Sequence, residues 1–282
     1  AANQRSEAID FRETAPAAVG RDFYLNEQGT VDETRLRHHY QAAGVPGTVA
    51  GLALAHARHG RLPWRRLVEP AIRLAKQGFP VGFELAQSLQ EVRERMAPWP
   101  ASRKAFFKAD GSAYSPGETL VQPDLAASLE QIAEQGAKAF YEGGIAQKLV
   151  ADLRAHQGAI TLEDLKNYRA VVRAPVRGTY RGYEIVSMPP PSSGGVHLIQ
   201  ILNLLETWPL GELGHNSAAT IHRLAEAMKL AYADRSEYLG DPDFVEVPVA
   251  GLISKAYARE LAARIDPNRA RPAADIKPGQ PQ

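Results

Sequence analysis

The run PPPSSGG at residues 189–195 lies between a predicted strand, YEIVSM (183–188), and a predicted buried helix, VHLIQILNLL (196–205). Three prolines remove three N–H donors and favour an extended approach to the turn. The glycines that follow leave backbone N–H groups free to point at whatever lies beyond it. The run therefore predicts either a substrate-facing loop or a stiff corner between the strand and the helix.

Two serines in this run, Ser192 and Ser193, are candidate nucleophiles. No Gly-x-Ser-x-Gly elbow surrounds them, and His197 lies on the following helix with no defined direction. We therefore favour a scaffold, or a turn that stabilises an anion, over a catalytic serine.

The rest of the chain predicts a helix-rich α/β fold. Strands are expected between 171 and 188, with a tight turn at Arg181-Gly182. Two abutting helices are expected around Pro70, because proline is tolerated in a first helical turn. Residues 97–121 are predicted to be irregular. Apolar periodicity and capping residues predict the remaining helices, over 49–59, 85–96, 124–135, 145–153 and 221–231, with caps at Thr161, Asn216 and Ser254.

Composition excludes several classes of function. The 282 residues carry a net charge of +1, which provides no general field for nucleic acid or membrane surfaces. No run of about 18 apolar residues is present, so no membrane span is predicted. The absence of cysteine excludes disulfides, thiolate catalysis and cysteine-bound metals. The polar start, without Met or an apolar signal core, leads us to expect a processed or truncated product.

Three motifs have a ligand-binding alternative. GVPGT at 44–48 has the glycines of a phosphate turn but lacks the Gly-Lys-Ser/Thr that would follow, so a structural turn is favoured. His56 and His59 could present two imidazoles to a metal, but solvated side chains are favoured because no zincin pattern surrounds them. Asp241 and Asp243 lack the spaced oxygen ligands of a calcium loop, which favours a turn.

Arg12 is a candidate binding residue in the segment AIDFRE at 8–13, a predicted short strand. Its guanidinium could pair with Asp10 or Glu13, or bind a substrate carboxylate with two parallel hydrogen bonds. The pattern alone favours the structural ion pair.

Several segments, in order along nearly the whole chain, together resemble the γ-glutamyltransferase family (γ-glutamyl transpeptidase, glutathione hydrolase) of bacterial type. They are AIDFRE with Ala15-Pro16, GVPGTVAG at 44–51, EPAI at 69–72 with Gly78-Phe79, YRGY at 180–183, the run 188–195, and AYADRSEYLGDP at 231–242. The resemblance implies the αββα sandwich of the N-terminal-nucleophile hydrolases, an α/β fold built jointly by a large and a small subunit from one precursor.

The resemblance also implies how the chain is organised. Residues 1–266 correspond to the large-subunit part of that single domain, and residues 267–282, which contain four prolines, to a flexible tail leading towards the self-cleavage site. An earlier N-terminal portion with a secretion signal is expected to precede the chain, which implies a periplasmic or secreted location.

The implied reaction cleaves the γ-glutamyl bond of glutathione and related amides through a γ-glutamyl-threonine intermediate and passes the group to water, amino acids or peptides. The nucleophilic threonine belongs to the small-subunit partner, so no catalytic residue, cofactor or metal is expected in this chain. The resemblance assigns Arg12 to the α-carboxylate of the γ-glutamyl group, which reverses the preference from pattern alone. Asp10 and Glu13 are then expected to orient its guanidinium. The alternatives are a glutaryl-cephalosporin acylase, a poly-γ-glutamate transpeptidase or a non-enzymatic binding protein.

Overall fold

The computed structural model describes residues 6–282, so the first part of the polar N-terminus lies outside the described residues. Two compact units form the chain. Unit 1 consists of Val172–Gln282 with the N-terminal segment up to Asp10, and unit 2 of Phe11–Val171. Across residues 6–282, no helix is both long and apolar enough to cross a membrane.

The α-helices of the described chain are α1 Glu33–His38, α2 Thr48–His59, α3 Trp64–Gln77, α4 Phe83–Met96, α5 Pro100–Phe106, α6 Pro123–Gln135, α7 Lys138–Tyr141, α8 Gly144–Ala155, α9 Leu162–Asn167, α10 Gly194–Leu205, α11 Ala218–Tyr238, α12 Val249–Leu252 and α13 Lys255–Ala262. The strands are β1 Ala8–Asp10, β2 Phe79–Pro80, β3 Thr119–Leu120, β4 Val171–Arg173, β5 Val176–Tyr180 and β6 Tyr183–Ser187. They pair as β1 with β4, β2 with β3 and β5 with β6.

Unit 2 contains a helical pair, α3 and α6, joined by a hydrogen bond from Trp64 Nε1 to the carbonyl of Ile132 at 2.9 Å. The prediction of two abutting helices at Pro70 is wrong, because α3 runs through it without interruption. Pro70 cannot donate to the carbonyl of Arg66, but Arg66 is exposed, so water can replace that bond. The apolar stripe of α3 is thus preserved on both sides of the proline.

The segment 97–121 in unit 2 is more regular than predicted. Pro100 starts α5 as its first residue, a position where the missing N–H has no helical partner to lose. Thr119–Leu120 forms β3 and pairs antiparallel with β2. The prediction of an irregular segment from its proline and glycine content was therefore wrong at two places, the start of α5 and the strand β3.

Unit 1 is built around α10, which packs on β5, β6, α11 and α13. The turn between β5 and β6 has positive φ at Arg181 (47°) and Gly182 (85°), which confirms the predicted tight hairpin. Thr161 and Ser254 cap their helices as predicted. The cap of α11 is Ser217 instead of Asn216, whose φ of 52° places it in the turn before the cap.

The run 189–195 connects β6 to α10 and contains a cis bond between Pro190 and Pro191. A Cβ on Gly195 would lie 2.2 Å from the carbonyl oxygen of Met188 and 2.6 Å from Val176 Cγ1. The first turn of α10 can therefore approach the preceding strand only because residue 195 has no side chain. This close packing supports the interpretation of the run as a corner.

Residues 267–282, expected to form a flexible tail, contain a short 3-10 turn at Ala273–Asp275. Ile276 and Gly279 are buried within unit 1. The flexibility of the tail stays a prediction, but its second half has specific contacts in the structure.

Candidate functional site

Arg12 lies in unit 2, on an exposed segment that follows β1. Two residues later, Thr14 and Val45 exchange backbone hydrogen bonds in an antiparallel bridge, with N···O distances of 3.3 and 2.8 Å. The bridge fixes the chain immediately after Arg12 to the start of the GVPGT motif.

Tyr168 holds the backbone of Arg12 directly. Its hydroxyl donates to the carbonyl oxygen of Arg12 at 2.7 Å, and its ring is buried in the core of unit 2. A buried hydroxyl bonded to a carbonyl restrains the main chain while the side chain of Arg12 remains at the surface. The arrangement is suited to presenting a guanidinium from a rigid backbone.

The glycines of the GVPGTVAG motif create space for this segment. A Cβ on Gly47 would lie 2.0 Å from the Phe11 carbonyl oxygen and 2.0 Å from the Tyr168 hydroxyl. A Cβ on Gly51 would lie 2.1 Å from Cγ of the Phe11 ring. The motif is therefore a structural turn that lets Phe11 and Tyr168 approach, as the favoured interpretation of the sequence expected.

Tyr141 supports the same motif from the other side. Its hydroxyl donates to the carbonyl of Pro46 at 2.7 Å and accepts from the N–H of Ala50 at 3.2 Å. Its ring stacks on Tyr168 with centroids 5.8 Å apart and planes 6° from parallel. Burial raises the pKa of Tyr141, so at neutral pH the hydroxyl keeps the proton that it donates. The two stacked tyrosines thus fix both the motif and the Arg12 backbone.

Asp10 belongs to unit 1 and has an ion-pair partner that the sequence pattern did not indicate. Its carboxylate accepts from Arg173 Nε at 2.8 Å, with 9% of the residue exposed. The two terminal nitrogens of Arg173 bind Asp243 at 3.0 and 2.6 Å. Hydrogen bonds to Asp243, and then to Asp10, raise the pKa of Arg173, and the bonds from Arg173 lower the pKa of Asp243. The expected role of Asp10 in orienting Arg12 stays a prediction.

Glu13 is exposed, and the aliphatic part of its side chain lies over Gly44. A Cβ on Gly44 would approach Glu13 Cγ to 2.8 Å. The glycine motif therefore contacts both neighbours of Arg12 in the chain. The proposed effect of Glu13 on the guanidinium is likewise a prediction.

Within residues 6–282, neither candidate serine hydroxyl forms a hydrogen bond with a histidine ring. The ring nitrogens of His197 lie 2.8 Å from the carbonyl of Ser193 and 3.0 Å from the carbonyl of Ala231. Ser193 Oγ accepts from Arg235 Nε at 3.2 Å, and Ser192 Oγ lies 3.4 Å from the N–H of Gly194. These contacts fit a scaffold better than a nucleophile and base.

The other candidate ligands have structural partners. His56 Nε2 lies 2.8 Å from the carbonyl of Leu62, and its ring meets Trp64 edge to face. Asp241 accepts from the N–H of Asp243 at 3.0 Å, which is the predicted turn. Within residues 6–282, no three His, Asp or Glu side chains form a group that could hold a metal ion.

Sequence reasoning missed Tyr141 and Tyr168 as supports of the Arg12 segment, and Arg173 as the ion-pair partner of Asp10. The spacing of Gly44, Gly47 and Gly51 was a usable signal, because closely spaced glycines indicate that another part of the chain approaches the backbone. Nothing in the local sequence of the two tyrosines indicates which carbonyls their hydroxyls would reach.

The chain is similar to known proteins in both sequence and structure. A family model described as Gamma-glutamyltranspeptidase matches residues 1–282. The glutathione hydrolase proenzyme of Escherichia coli (strain K12) is 48% identical over 278 residues, covering 99% of this chain and 48% of that protein. The Acylase ACY 1 proenzyme of Pseudomonas sp. (strain V22) is 42% identical over 276 residues, covering 96% of this chain and 49% of that protein. The solved Helicobacter pylori gamma-glutamyltranspeptidase matches with a TM-score of 0.94 and 46% identity, covering 99% of this chain and 80% of that chain.

The chain spans about half the length of the curated relatives it matches. The structural similarity confirms the predicted mixed α/β fold class of the N-terminal-nucleophile hydrolases. The matches extend over nearly the whole sequence at 40% identity or more. The chain therefore belongs to the γ-glutamyltranspeptidase family.

Proposed function

We propose that this chain is the large-subunit part of a γ-glutamyltransferase. With a small-subunit partner, it cleaves the γ-glutamyl bond of glutathione and related amides and passes the γ-glutamyl group to water or to an amino acid or peptide. The partner supplies an N-terminal threonine, whose hydroxyl forms the γ-glutamyl ester and whose α-amine acts as base. This chain contributes donor binding, and the assembled enzyme acts in the periplasm or outside the cell.

The observation that carries the proposal is the Arg12 segment. The carbonyl of Arg12 is bound by the buried Tyr168 hydroxyl, and the chain beside it is paired with Val45. The exposed side chain carries a planar guanidinium, whose parallel N–H groups match the two oxygens of an α-carboxylate. A backbone held at both Arg12 and Thr14 reduces the entropy that is lost when the guanidinium binds the carboxylate.

Arg12→Ala in the assembled enzyme tests the assignment. Loss of a bidentate, charge-assisted contact costs about 2–4 kcal/mol, which corresponds to a rise of about thirtyfold or more in KM for a γ-glutamyl anilide. Arg12→Lys is the matched control, because it retains the positive charge without the planar fork and should recover only part of the affinity. An unchanged KM in Arg12→Ala contradicts the role of Arg12.

A second candidate activity is that of a related acylase, and the similarity to a Pseudomonas acylase proenzyme favours testing it. A glutaryl group keeps the terminal carboxylate of the γ-glutamyl group and lacks only the α-amine, so Arg12 can bind both acyl groups and does not by itself distinguish them. The assembled wild-type enzyme should turn over the γ-glutamyl anilide faster than the glutaryl anilide, and Arg12→Ala should raise KM for both, because both carry the carboxylate. Faster turnover of the glutaryl anilide would support the acylase instead.

A further inference from the structure

Asp234, on α11 of unit 1, is a carboxylate without an ion-pair partner among the described residues. The residue is 0% exposed, and its oxygens accept from Gln200 Nε2, from the Tyr257 hydroxyl at 2.8 Å and from the N–H of Gly279 at 2.8 Å. A charge removed from water is stable only when hydrogen bonds replace its hydration. One of the three donors that do so, Gly279, belongs to the C-terminal segment 276–282.

The other two donors, the Tyr257 hydroxyl and the Gln200 amide, belong to buried side chains. Burial, and then the neighbouring Asp234, raise the pKa of Tyr257, so its hydroxyl keeps its proton across the neutral range. Gln200 is itself 1% exposed on α10. The carboxylate therefore has a rigid protein environment on one side and the backbone of the segment 276–282 on the other.

The segment 276–282 is held mainly through its backbone. The carbonyl of Gly279 accepts from the Tyr238 hydroxyl at 2.7 Å, and the carbonyl of Lys277 accepts from Arg264 at 3.0 Å. A Cβ on Gly279 would lie 2.1 Å from the Tyr257 hydroxyl, so only glycine fits at this position. Near its end the segment passes Gly251, where a Cβ would lie 2.5 Å from the carbonyl of Gln282.

We propose that Asp234, Tyr238 and Tyr257 form a clamp that fixes the backbone of residues 276–282 on unit 1 and thereby positions the peptide bond cleaved in the precursor. The proposal rests on the proposed function, because that function requires a precursor in which further chain follows this segment. Asp234 is a positioning residue, since it contacts the segment leading to the reacting atoms.

The reaction that the clamp serves is a self-cleavage. The threonine hydroxyl adds to the carbonyl carbon of the preceding residue, and its proton passes to the departing amide nitrogen. Water hydrolyses the resulting ester to a carboxylate and the regenerated hydroxyl, and the threonine keeps a free α-amine. The rate of such an intramolecular attack depends strongly on how the reacting groups are held.

Gly279→Ala in the full-length precursor tests the clamp, with Gly211→Ala as the control. A Cβ on Gly211 meets nothing within 4 Å, and both positions belong to unit 1. The exchange measurement uses a precursor that stays uncleaved because its nucleophilic threonine is replaced. In this precursor, Gly279→Ala should speed hydrogen exchange of the backbone amides of residues 276–282 by about tenfold or more, because a hydrogen bond to a buried charge is lost. With the threonine intact, Gly279→Ala should slow self-cleavage by about tenfold. Gly211→Ala should change neither rate.

Asp234 variants separate the clamp from a general structural effect. Asp234→Asn retains an acceptor oxygen for the N–H of Gly279 but turns an amide N–H towards the donors Gln200 and Tyr257, so it should cleave faster than Asp234→Ala and more slowly than the unmodified precursor. Asp234→Ala should resemble Gly279→Ala. Unchanged exchange in Gly279→Ala would overturn the clamp, and faster exchange with unchanged cleavage would overturn its positioning role. If the unmodified precursor does not cleave itself, the proposed function and the positioning role fail together, while the exchange comparison still decides whether the clamp exists.

Discussion

At the scale of single residues, the Arg12 region depends on a few close contacts. The Tyr168 hydroxyl bonds the Arg12 carbonyl, and Gly47 leaves room for both that hydroxyl and the Phe11 carbonyl. A guanidinium presented from a fixed backbone binds a carboxylate at a smaller entropic cost than one on a mobile loop. The support from Tyr168 should therefore be measurable in substrate binding.

Tyr168→Phe removes the hydroxyl that donates to the Arg12 carbonyl while it keeps the stacked ring. We expect a loss of about 1 kcal/mol in donor binding, seen as about a fivefold rise in KM for a γ-glutamyl anilide with kcat little changed. Tyr24→Phe is the matched control, because the Tyr24 hydroxyl also donates to a backbone carbonyl of unit 2, that of Gln41 at 2.8 Å. If both variants raise KM equally, the effect of Tyr168 is not specific to Arg12.

At the scale of elements, Arg173 connects two parts of unit 1. It extends from β4 to Asp10 at the end of β1 and to Asp243 in the loop that follows α11. Its side chain is 16% exposed. The side chain of Arg177, which lies on β5, the next strand along the chain, and pairs with Glu184, is 44% exposed. The two arginines thus provide a comparison of a largely buried ion pair with a surface one.

Arg173→Ala leaves the carboxylate of Asp10 buried without this partner. We expect a loss of about 2–3 kcal/mol in unfolding free energy, somewhat below the value for fully buried pairs because Asp243 is exposed. Arg177→Ala should cost about 1 kcal/mol or less, since its pair is open to solvent. Urea unfolding of the assembled protein measures both, and equal midpoints for the two variants would contradict the structural role of Arg173.

Local sequence signals predicted some features of the helices and turns correctly and others wrongly. The capping box at Thr161 and the positive-φ turn at Arg181-Gly182 were predicted, because both depend on residues within a few positions of each other. The prediction of a helix boundary at Pro70 was wrong. Whether a helix continues through a proline depends on how the helix packs, here α3 on α6, and on whether water can reach the carbonyl that loses its hydrogen bond. Propensity rules contain neither factor.

At the scale of the whole molecule, the chain corresponds to about half of its relatives' length. Large apolar side chains are exposed on both units, with Phe244 85%, Tyr183 74% and Phe83 69% exposed. Under the proposed function, a second chain covers part of this apolar surface.

Native purification through a tag on this chain should therefore recover a second chain that begins with threonine, identified by intact mass and N-terminal sequencing. This chain produced alone should bind more of a hydrophobic dye than the two-chain assembly does, because the partner buries apolar surface. Recovery of a single, monodisperse chain from native material that binds little hydrophobic dye would support the free-standing binding protein instead.

The sequence by itself determined the family, most helix positions and the identity of Arg12 as a candidate, because these follow from short motifs and apolar periodicity. Only the tertiary structure decided which groups bind the Arg12 backbone and the Asp10 carboxylate. Tyr168 lies 156 positions from Arg12, and Arg173 lies 163 positions from Asp10. The chain has 10 tyrosines and 33 lysines and arginines, any of which could serve by chemistry alone. The choice among them depends on where packing brings a hydroxyl or a guanidinium within about 3 Å of an acceptor, and no local pattern contains that distance.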